Sequence, residues 1–273
     1  MNKDPIGIFD SGIGGLTIVK EIRKILPNED IIYLGDTARL PYGTKSVEAI
    51  IQFSQENTEF LVSRGAKYIV IACYSSSSVA LDILEKKFDV PIIGVIKPGV
   101  KQALALSKTG KIGVIGTTLT IYSGAYEKAF KALDRKCEIL GRACPLFVPL
   151  VEEGWLDHPA TALIAETYLK PLKEDNIDTL LLGCTHYPLL INVIRKVTGD
   201  IDYVDASKAL GTELAQELKR LDLENPISQE KRRPSSSKIT IYLTDLSINF
   251  KDIGERFLGE PMKNVSRISL KGV

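Results

Sequence analysis

Short apolar runs alternate along this chain with longer segments whose apolar residues recur at helical spacing. The first run, Ile6 to Phe9, precedes a segment from Leu16 to Leu26 with apolar positions on one helical face, which Pro27 ends. Further strands are predicted at 31–34, 68–72, 91–96, 111–116, 178–183, 201–204, 239–243 and 265–270. Helices are predicted at about 46–64, 77–88, 98–107, 120–134, 159–174, 188–197, 206–221 and 249–258. Residues 137–150 are interpreted as a strand that leads into a proline-containing loop reaching Glu152.

This alternation indicates the fold class. The strands are apolar on both faces, which is typical of parallel sheets covered by helices. An apolar strand, a cysteine, hydroxyl residues and a helix recur at Cys73 and Cys184, and this weak repeat indicates two similar α/β halves that face each other. We expect residues 1–97 plus 208–273 to form the first α/β domain and residues 98–207 to form the second.

One segment, 224–238, is typical of an exposed loop or linker. It contains the basic cluster Lys231-Arg232-Arg233 and three serines. A solvated loop is the favoured interpretation of this cluster, and contact with a partner is the alternative.

Two thiols occupy matched positions in the predicted sheets. The run Leu180 to Gly183 ends in Cys184, and the run Tyr68 to Ala72 ends in Cys73. Open α/β sheets bind their ligands at the carboxyl ends of the strands, where both thiols are expected. Two matched thiols therefore indicate a reaction that needs the same chemical group twice.

Proton transfer on both faces of a carbon stereocentre is such a reaction, because one face loses a proton and the other gains one. A thiol suits this work, since its reference pKa of ~8.5 lies close to neutrality. We expect the N-terminus of the following helix to favour the thiolate at Cys73 and Cys184. The alternative is that each cysteine is simply a small buried apolar residue. The hydroxyl residues that follow both cysteines favour the functional interpretation.

Three further residues are candidates for acid–base work. Asp10, at the end of the first strand, can orient or deprotonate a thiol or bind an ammonium group, and a helix N-cap is the alternative. Its glycine-rich surroundings, Asp10 to Gly15, fit neither common phosphate-binding motif. His186 is expected to act on the Cys184 thiol. Glu152 is expected to play the matching part on the Cys73 side, with a solvated loop carboxylate as the alternative.

Composition narrows the possible classes of protein. The 273-residue chain has a net charge of +1, which argues against a dedicated nucleic-acid surface, and it has no apolar run near the ~20 residues of a membrane span. The N-terminal segment shows no secretory signal, so a cytoplasmic protein with reduced thiols is expected. The four cysteines form no CxxC pair and only two histidines are present, so a metal site is not expected.

Several motifs together resemble the cofactor-independent glutamate racemases over nearly the whole chain. They are Asp10-Ser11-Gly12 with Gly14-Gly15-Leu16, Tyr33-Leu34-Gly35-Asp36, Pro41-Tyr42-Gly43, Cys144-Pro145-Leu146-Phe147-Val148-Pro149-Leu150, Gly183-Cys184-Thr185-His186-Tyr187-Pro188-Leu189, Tyr242-Leu243-Thr244-Asp245 and Phe257-Leu258-Gly259. The resemblance implies two α/β domains with the active site in the cleft between them. It also implies interconversion of L- and D-glutamate without pyridoxal phosphate or metal, a role in peptidoglycan synthesis, and a homodimer.

The resemblance also assigns roles by position. Cys73 would act on the D-enantiomer and Cys184 on the L-enantiomer, with Asp10 and Glu152 assisting near Cys73 and His186 near Cys184. The residues that it implies for substrate binding are Ser11, Pro41, Tyr42, Gly43, Tyr74, Ser75, Thr117, Thr120 and Thr185.

The chain departs from the family pattern at two places. Tyr74 and Ser75 follow Cys73 where the family normally has Asn and Thr, and a phenol is far larger than a carboxamide. Lys97 stands where Glu is usual, near the expected hinge between the domains. Two alternatives therefore stay open. One is a racemase of another amino acid such as aspartate, and the other is a weakly active or purely ligand-binding homologue.

Overall fold

The computed structural model describes residues 3–133, 136–225 and 238–270. Its strands are β1 (Ile6–Asp10), β2 (Ile31–Gly35), β3 (Tyr68–Ile71), β4 (Ile92–Gly94), β5 (Lys111–Gly116), β6 (Glu138–Ala143), β7 (Thr179–Gly183), β8 (Asp202–Val204), β9 (Ile239–Leu243) and β10 (Val265–Arg267). Its helices are α1 (Leu16–Ile25), α2 (Val47–Ser63), α3 (Tyr74–Lys87), α4 (Ile96–Leu106), α5 (Thr118–Tyr122), α6 (Ala125–Leu133), α7 (Phe147–Glu152), α8 (Pro159–Glu174), α9 (Ile191–Thr198), α10 (Ala206–Arg220) and α11 (Phe250–Leu258). The basic cluster at 231–233 lies outside the described residues.

The described strands form two parallel sheets, as predicted. The first sheet has the order β10-β9-β2-β1-β3-β4 and the second has the order β6-β5-β7-β8. In the first sheet Phe9 pairs with Ile71, so the ends of β1 and β3 are neighbours. In the second sheet Gly116 pairs with Gly183, so the ends of β5 and β7 are neighbours. Each cysteine therefore follows a central strand of its own sheet.

Helices join the two sheets into one molecule. The helix α10 packs against α1, which begins just after β1, and also against α4, which lies on the second sheet beside β7 and β8. Buried apolar residues of both halves form one continuous core that includes Leu16, Val100, Leu181 and Leu210. The domain boundaries at 97/98 and 207/208 stay a prediction.

The helical assignments were accurate except in the stretch between β5 and α8. The single helix predicted at 120–134 is two helices, α5 and α6, separated at Gly124, whose φ of 70° suits glycine. The loop predicted after β6 is wrong, because the helix α7 occupies Phe147–Glu152. Pro149 lies in its first turn, where backbone N–H groups have no partner within the helix, so a proline is tolerated there.

The remaining differences are at element ends. The helix α3 begins at Tyr74, directly after Cys73, rather than at 77. The last strand ends at Arg267 rather than at 270. Among the described residues, no helix is both long and apolar enough to cross a membrane.

Candidate active site

A cavity of about 400 Å³ lies where the carboxyl ends of the two sheets face each other. Both cysteines line it, together with residues from both halves of the molecule. Of the predicted site residues the cavity wall includes Asp10, Ser11, Pro41, Tyr42, Gly43, Cys73, Tyr74, Ser75, Thr117, Glu152, Cys184, Thr185 and His186. Thr120 does not line it. The structure therefore brings almost the whole predicted set to one place.

Cys73 is buried at the start of α3 among oxygen groups. Burial and, to a lesser degree, the negative charge of Asp10 together raise the pKa of Cys73 to about 12. The backbone N–H and hydroxyl of Ser76 and the hydroxyl of Ser11 oppose this shift. The backbone at the start of α3 therefore favours the thiolate, as expected, but the loss of solvation outweighs this effect.

Asp10 is held by the glycine-rich turn that precedes α1. Its Oδ2 accepts hydrogen bonds from the N–H groups of Gly12 (3.2 Å) and Gly15 (2.9 Å). Its Oδ1 is buried and has no hydrogen-bond partner among the described residues. Burial raises the pKa of Asp10, although the charge of His186 and the turn's N–H groups act in the opposite direction. One oxygen thus orients the carboxylate and the other is left for a proton or a ligand.

Cys184 has an imidazole beside it. Nδ1 of His186 lies 3.8 Å from the Cys184 Sγ and 3.3 Å from Oγ1 of Thr185, and Nε2 lies 3.2 Å from Oε1 of Glu152. Burial lowers the pKa of His186, but the hydrogen bonds and charges of Cys184 and Glu152 outweigh it and raise the pKa to about 10. The imidazole is therefore a cation at neutral pH, and it lies between the Cys184 sulfur and the Glu152 carboxylate.

Glu152 lies on the side opposite to the one predicted. It contacts His186 on the Cys184 side rather than assisting Cys73. The cause is the packing of α7, whose Phe147 ring meets the Tyr187 ring edge-to-face at 5.3 Å. The Tyr187 hydroxyl also donates to the Cys144 carbonyl at 2.8 Å, which fixes the segment before α7 above the end of β7.

Three hydroxyls connect the two halves beside Cys73. The Ser75 Oγ lies 3.0 Å from the Thr117 Oγ1 and 3.3 Å from the Thr120 Oγ1, and these two threonine oxygens are 2.9 Å apart. Thr120 is fully buried behind this group. Its predicted role in binding is therefore indirect, through the orientation of Ser75 and Thr117.

The loop Pro41-Tyr42-Gly43 is anchored by its tyrosine. The buried Tyr42 hydroxyl donates to Asp36 and accepts a hydrogen bond from Asn57 Nδ2 at 3.2 Å. Gly43 approaches Thr117 so closely that a Cβ at this position would lie 2.6 Å from the Thr117 Cβ. The tyrosine side chain thus fixes the loop against the first sheet, and the glycine lets it meet the second half.

Tyr74 is a buried part of the cavity wall. Burial raises its pKa well above the usual value, and the neighbouring charges of Tyr126, Asp205 and Cys184 act in the same direction. The backbone N–H of Ala206, at the start of α10, opposes them. The phenol hydroxyl therefore lies close to the Ala206 N–H, at the start of α10.

Sequence reasoning missed part of the cavity wall. The apolar residues Leu40, Leu146 and Val148 line it together with Pro145 and Pro149. Residues 144–150 match the family motif, but the sequence does not show that this segment forms a helix over the Cys184 side of the cavity. Within the described ranges, no cluster of three or more histidine, cysteine or carboxylate side chains is placed to bind a metal ion.

Comparison with known proteins identifies the class to which this fold and site belong. A sequence model of the Asp/Glu/hydantoin racemase family matches residues 14–214, so the chain belongs to this family. It is 46% identical over 267 residues to the glutamate racemase of Geobacter metallireducens, covering 97% of each chain. It is 48% identical over 254 residues to the glutamate racemase of Aquifex pyrophilus, covering 93% of this chain and 94% of that one.

A solved structure shows the same fold throughout. The glutamate racemase of Francisella tularensis, crystallised with D-glutamate, superposes with a TM-score of 0.91 at 39% identity and covers 98% of both chains. The predicted family resemblance and fold class are thereby confirmed.

Proposed function

We propose that this protein is a glutamate racemase that moves a proton to one face of the substrate while removing one from the other. The observation that carries the proposal is the pair of thiols, Cys73 and Cys184, which end matched strands and line one cavity from its two sides. The high identity to glutamate racemases supports glutamate as the substrate.

The reaction follows from the two sides of the cavity. One cysteine, as a thiolate, takes the α-proton, and the bond electrons pass to the substrate α-carbon. The other cysteine, as a thiol, then donates its proton to the opposite face. By the family resemblance Cys184 takes the proton from L-glutamate and Cys73 from D-glutamate. The two groups exchange roles when the direction reverses.

Each thiol has a partner that can adjust its protonation. Asp10 lines the cavity beside Cys73, and we assign its buried Oδ1, which has no hydrogen-bond partner among the described residues, to accept a proton or hold the substrate ammonium group. His186, held by Glu152, supplies a positive charge beside Cys184. No cofactor is required in this scheme, because acid and base are both supplied by side chains.

Polar groups between the cysteines are suited to the substrate's carboxylates and ammonium group. The hydroxyls of Ser11, Ser75, Thr117 and Thr185 line the cavity, as does the loop around Gly43. We assign substrate binding to this set. We further propose that the product D-glutamate serves peptidoglycan synthesis, and that the enzyme acts as a cytoplasmic homodimer, as the family resemblance implies.

The test is direct. Purified protein is incubated with L-glutamate and separately with D-glutamate, without pyridoxal phosphate or metal, and circular dichroism follows the approach to a racemic mixture. Aspartate is assayed in parallel. Inversion of glutamate at a much higher kcat/KM than aspartate is expected. Faster inversion of aspartate would identify another racemase, and thermal stabilisation by glutamate without inversion would identify a binding protein.

A further inference from the structure

The helix α11 belongs to one half of the molecule but contacts the acid–base pair of the other. It lies between β9 and β10, which form the edge of the first sheet. On the second sheet, His186 lies shortly after β7, and Glu152 is the last residue of α7. Two consecutive residues of α11 reach this region, because Phe257 contacts His186 and Arg256 contacts Val151, the residue before Glu152.

Phe257 fixes the imidazole ring of His186. The two ring centroids are 5.0 Å apart with an interplanar angle of 75°, an edge-to-face contact, and Phe257 is only 1% exposed. Aromatic rings in this arrangement attract each other beyond the effect of burial alone. The contact restricts the direction in which Nδ1 of His186 can point, and that nitrogen faces Cys184.

Arg256 supports the end of α7. Its Nη1 donates to the carbonyl of Val151 at 3.2 Å, one residue before Glu152. The turn after α7 also approaches the guanidinium closely, since a Cβ at Gly154 would lie 3.3 Å from it. The last carbonyls of a helix lack partners within it, and a cation there is favourable. A helix of six residues depends on such outside contacts to hold its final side chain in place.

The helix α11 is anchored to the half of the molecule that contains the first sheet. Gly254 packs so tightly on Met262 that a Cβ at this position would overlap the Met262 sulfur, and Leu16 of α1 is also adjacent. The Glu255 Oε1 accepts a hydrogen bond from the Met262 N–H at 3.1 Å. The helix α11 would therefore move with the first half if the two halves moved relative to each other.

We propose that Arg256 and Phe257 are positioning residues that align the Glu152–His186 pair with Cys184, so that the acid–base group on this side is complete only when α11 packs against α7. The inference rests on the proposed function. In this arrangement a helix of the first half positions the base that the second half carries.

The proposal has a signature that belongs to one side of the reaction. Misalignment slows proton transfer at Cys184 and leaves Cys73 untouched. Because the two enantiomers have equal free energy, kcat/KM falls equally in both directions. The isotope effects diverge, since transfer at Cys184 becomes more rate-limiting. The effect of α-deuteration on kcat/KM rises for L-glutamate, which loses its proton to Cys184, and falls towards unity for D-glutamate.

The experiment compares Phe257→Leu and Arg256→Met with matched controls on the same helix. Phe250→Leu removes a ring that lies two turns earlier, and Lys251→Met removes an exposed cation. The two test variants are expected to lose about tenfold to a hundredfold in kcat/KM and to show the divergent isotope effects. The controls are expected to keep both values. Melting temperatures are recorded for all four, and Arg256→Met, a change at the surface, keeps the test available if Phe257→Leu unfolds.

The proposal is overturned, whatever the loss of activity, if both test variants show the same pair of isotope effects for the two enantiomers as the unaltered protein. The proposal is also overturned if Phe250→Leu behaves like Phe257→Leu. Failure of the proposed function is distinct, because the unaltered protein would then racemise no glutamate at all.

Discussion

The two cysteines follow equivalent strands, yet their surroundings are built from different chemistry. Cys73 lies among hydroxyls, backbone N–H groups and the carboxylate of Asp10, and burial raises its pKa to about 12. Cys184 lies beside His186, whose pKa is about 10. At neutral pH the first side therefore carries a protonated thiol, and the second carries a cation next to sulfur. The thiol of Cys73 can give a proton, and the cation beside Cys184 can stabilise a negative charge that develops on that side.

The different surroundings of the two cysteines show that a symmetric reaction does not require a symmetric site. The reverse direction needs a thiolate at Cys73, and both burial and the charge of Asp10 oppose it. Asp10 is the base available on that side, because burial also raises its pKa and leaves its Oδ1 unpaired. On the Cys184 side the matching group is an imidazole stabilised by Glu152. Each half thus meets the same demand with different side chains.

Removing either thiol is expected to have the largest effect. Cys73→Ala and Cys184→Ala should each lower racemisation by at least about a thousandfold, because each removes an acid and a base on one face. Circular dichroism of glutamate solutions measures the loss. Cys137→Ala, which changes a half-buried thiol outside the cavity, serves as the control. Full activity in either of the first two variants would disprove the two-thiol reaction.

Asp10→Asn is expected to make the Cys73 thiol more acidic and yet to slow racemisation. Without the carboxylate charge the pKa of Cys73 should fall below about 12, so the thiolate fraction at pH 9 should rise. Racemisation should nevertheless fall about a hundredfold, because the proton acceptor is lost. Iodoacetamide labelling of Cys73 across pH, read by mass spectrometry, reports its pKa. Asp82→Asn, on the exposed face of α3, is the control, and slower labelling in Asp10→Asn would contradict the account.

Glu152→Gln is expected to weaken the Cys184 side. The neutral amide removes a charge that raises the pKa of His186, so that pKa should fall below about 10 and racemisation should drop about tenfold or more. NMR titration of the two histidines gives the pKa directly, and His158, exposed and distant from the cavity, is the internal reference. The neighbouring exposed Glu153→Gln is the matched variant. An unchanged His186 titration would show that the contact with Glu152 has no electrostatic role.

Changes at Tyr74 should be the mildest. Because its hydroxyl bonds to the Ala206 N–H at the start of α10, Tyr74→Phe should keep racemisation within about threefold and cost about 1 kcal/mol of unfolding free energy. Tyr74→Asn removes a buried ring and should cost about 3 kcal/mol. Kinetics and urea unfolding measure both. A large rise in KM for Tyr74→Phe would show instead that the phenol binds substrate.

The sequence was sufficient for the sheets and for the position of both thiols, because the periodicity of apolar runs and strand-end chemistry are local signals. The sequence did not indicate on which side of the cavity Glu152 lies, because that position depends on how α7 packs against Tyr187. It also overlooked burial at Cys73, since a strand-end position does not reveal how little solvent reaches the sulfur. Arg256 and Phe257 are remote in sequence from His186, and only the fold brings them together.

The distribution of deuterium between the two enantiomers early in the reaction tests the transfer by two thiols. The protein is incubated with L-glutamate in D2O, the enantiomers are separated at low conversion, and mass spectrometry measures α-deuterium in each. Transfer by two thiols predicts deuterium in the D-glutamate formed and protium in the L-glutamate recovered. Protium retained in the product would contradict the account, because it would mean that a single base carries the same proton from one face to the other.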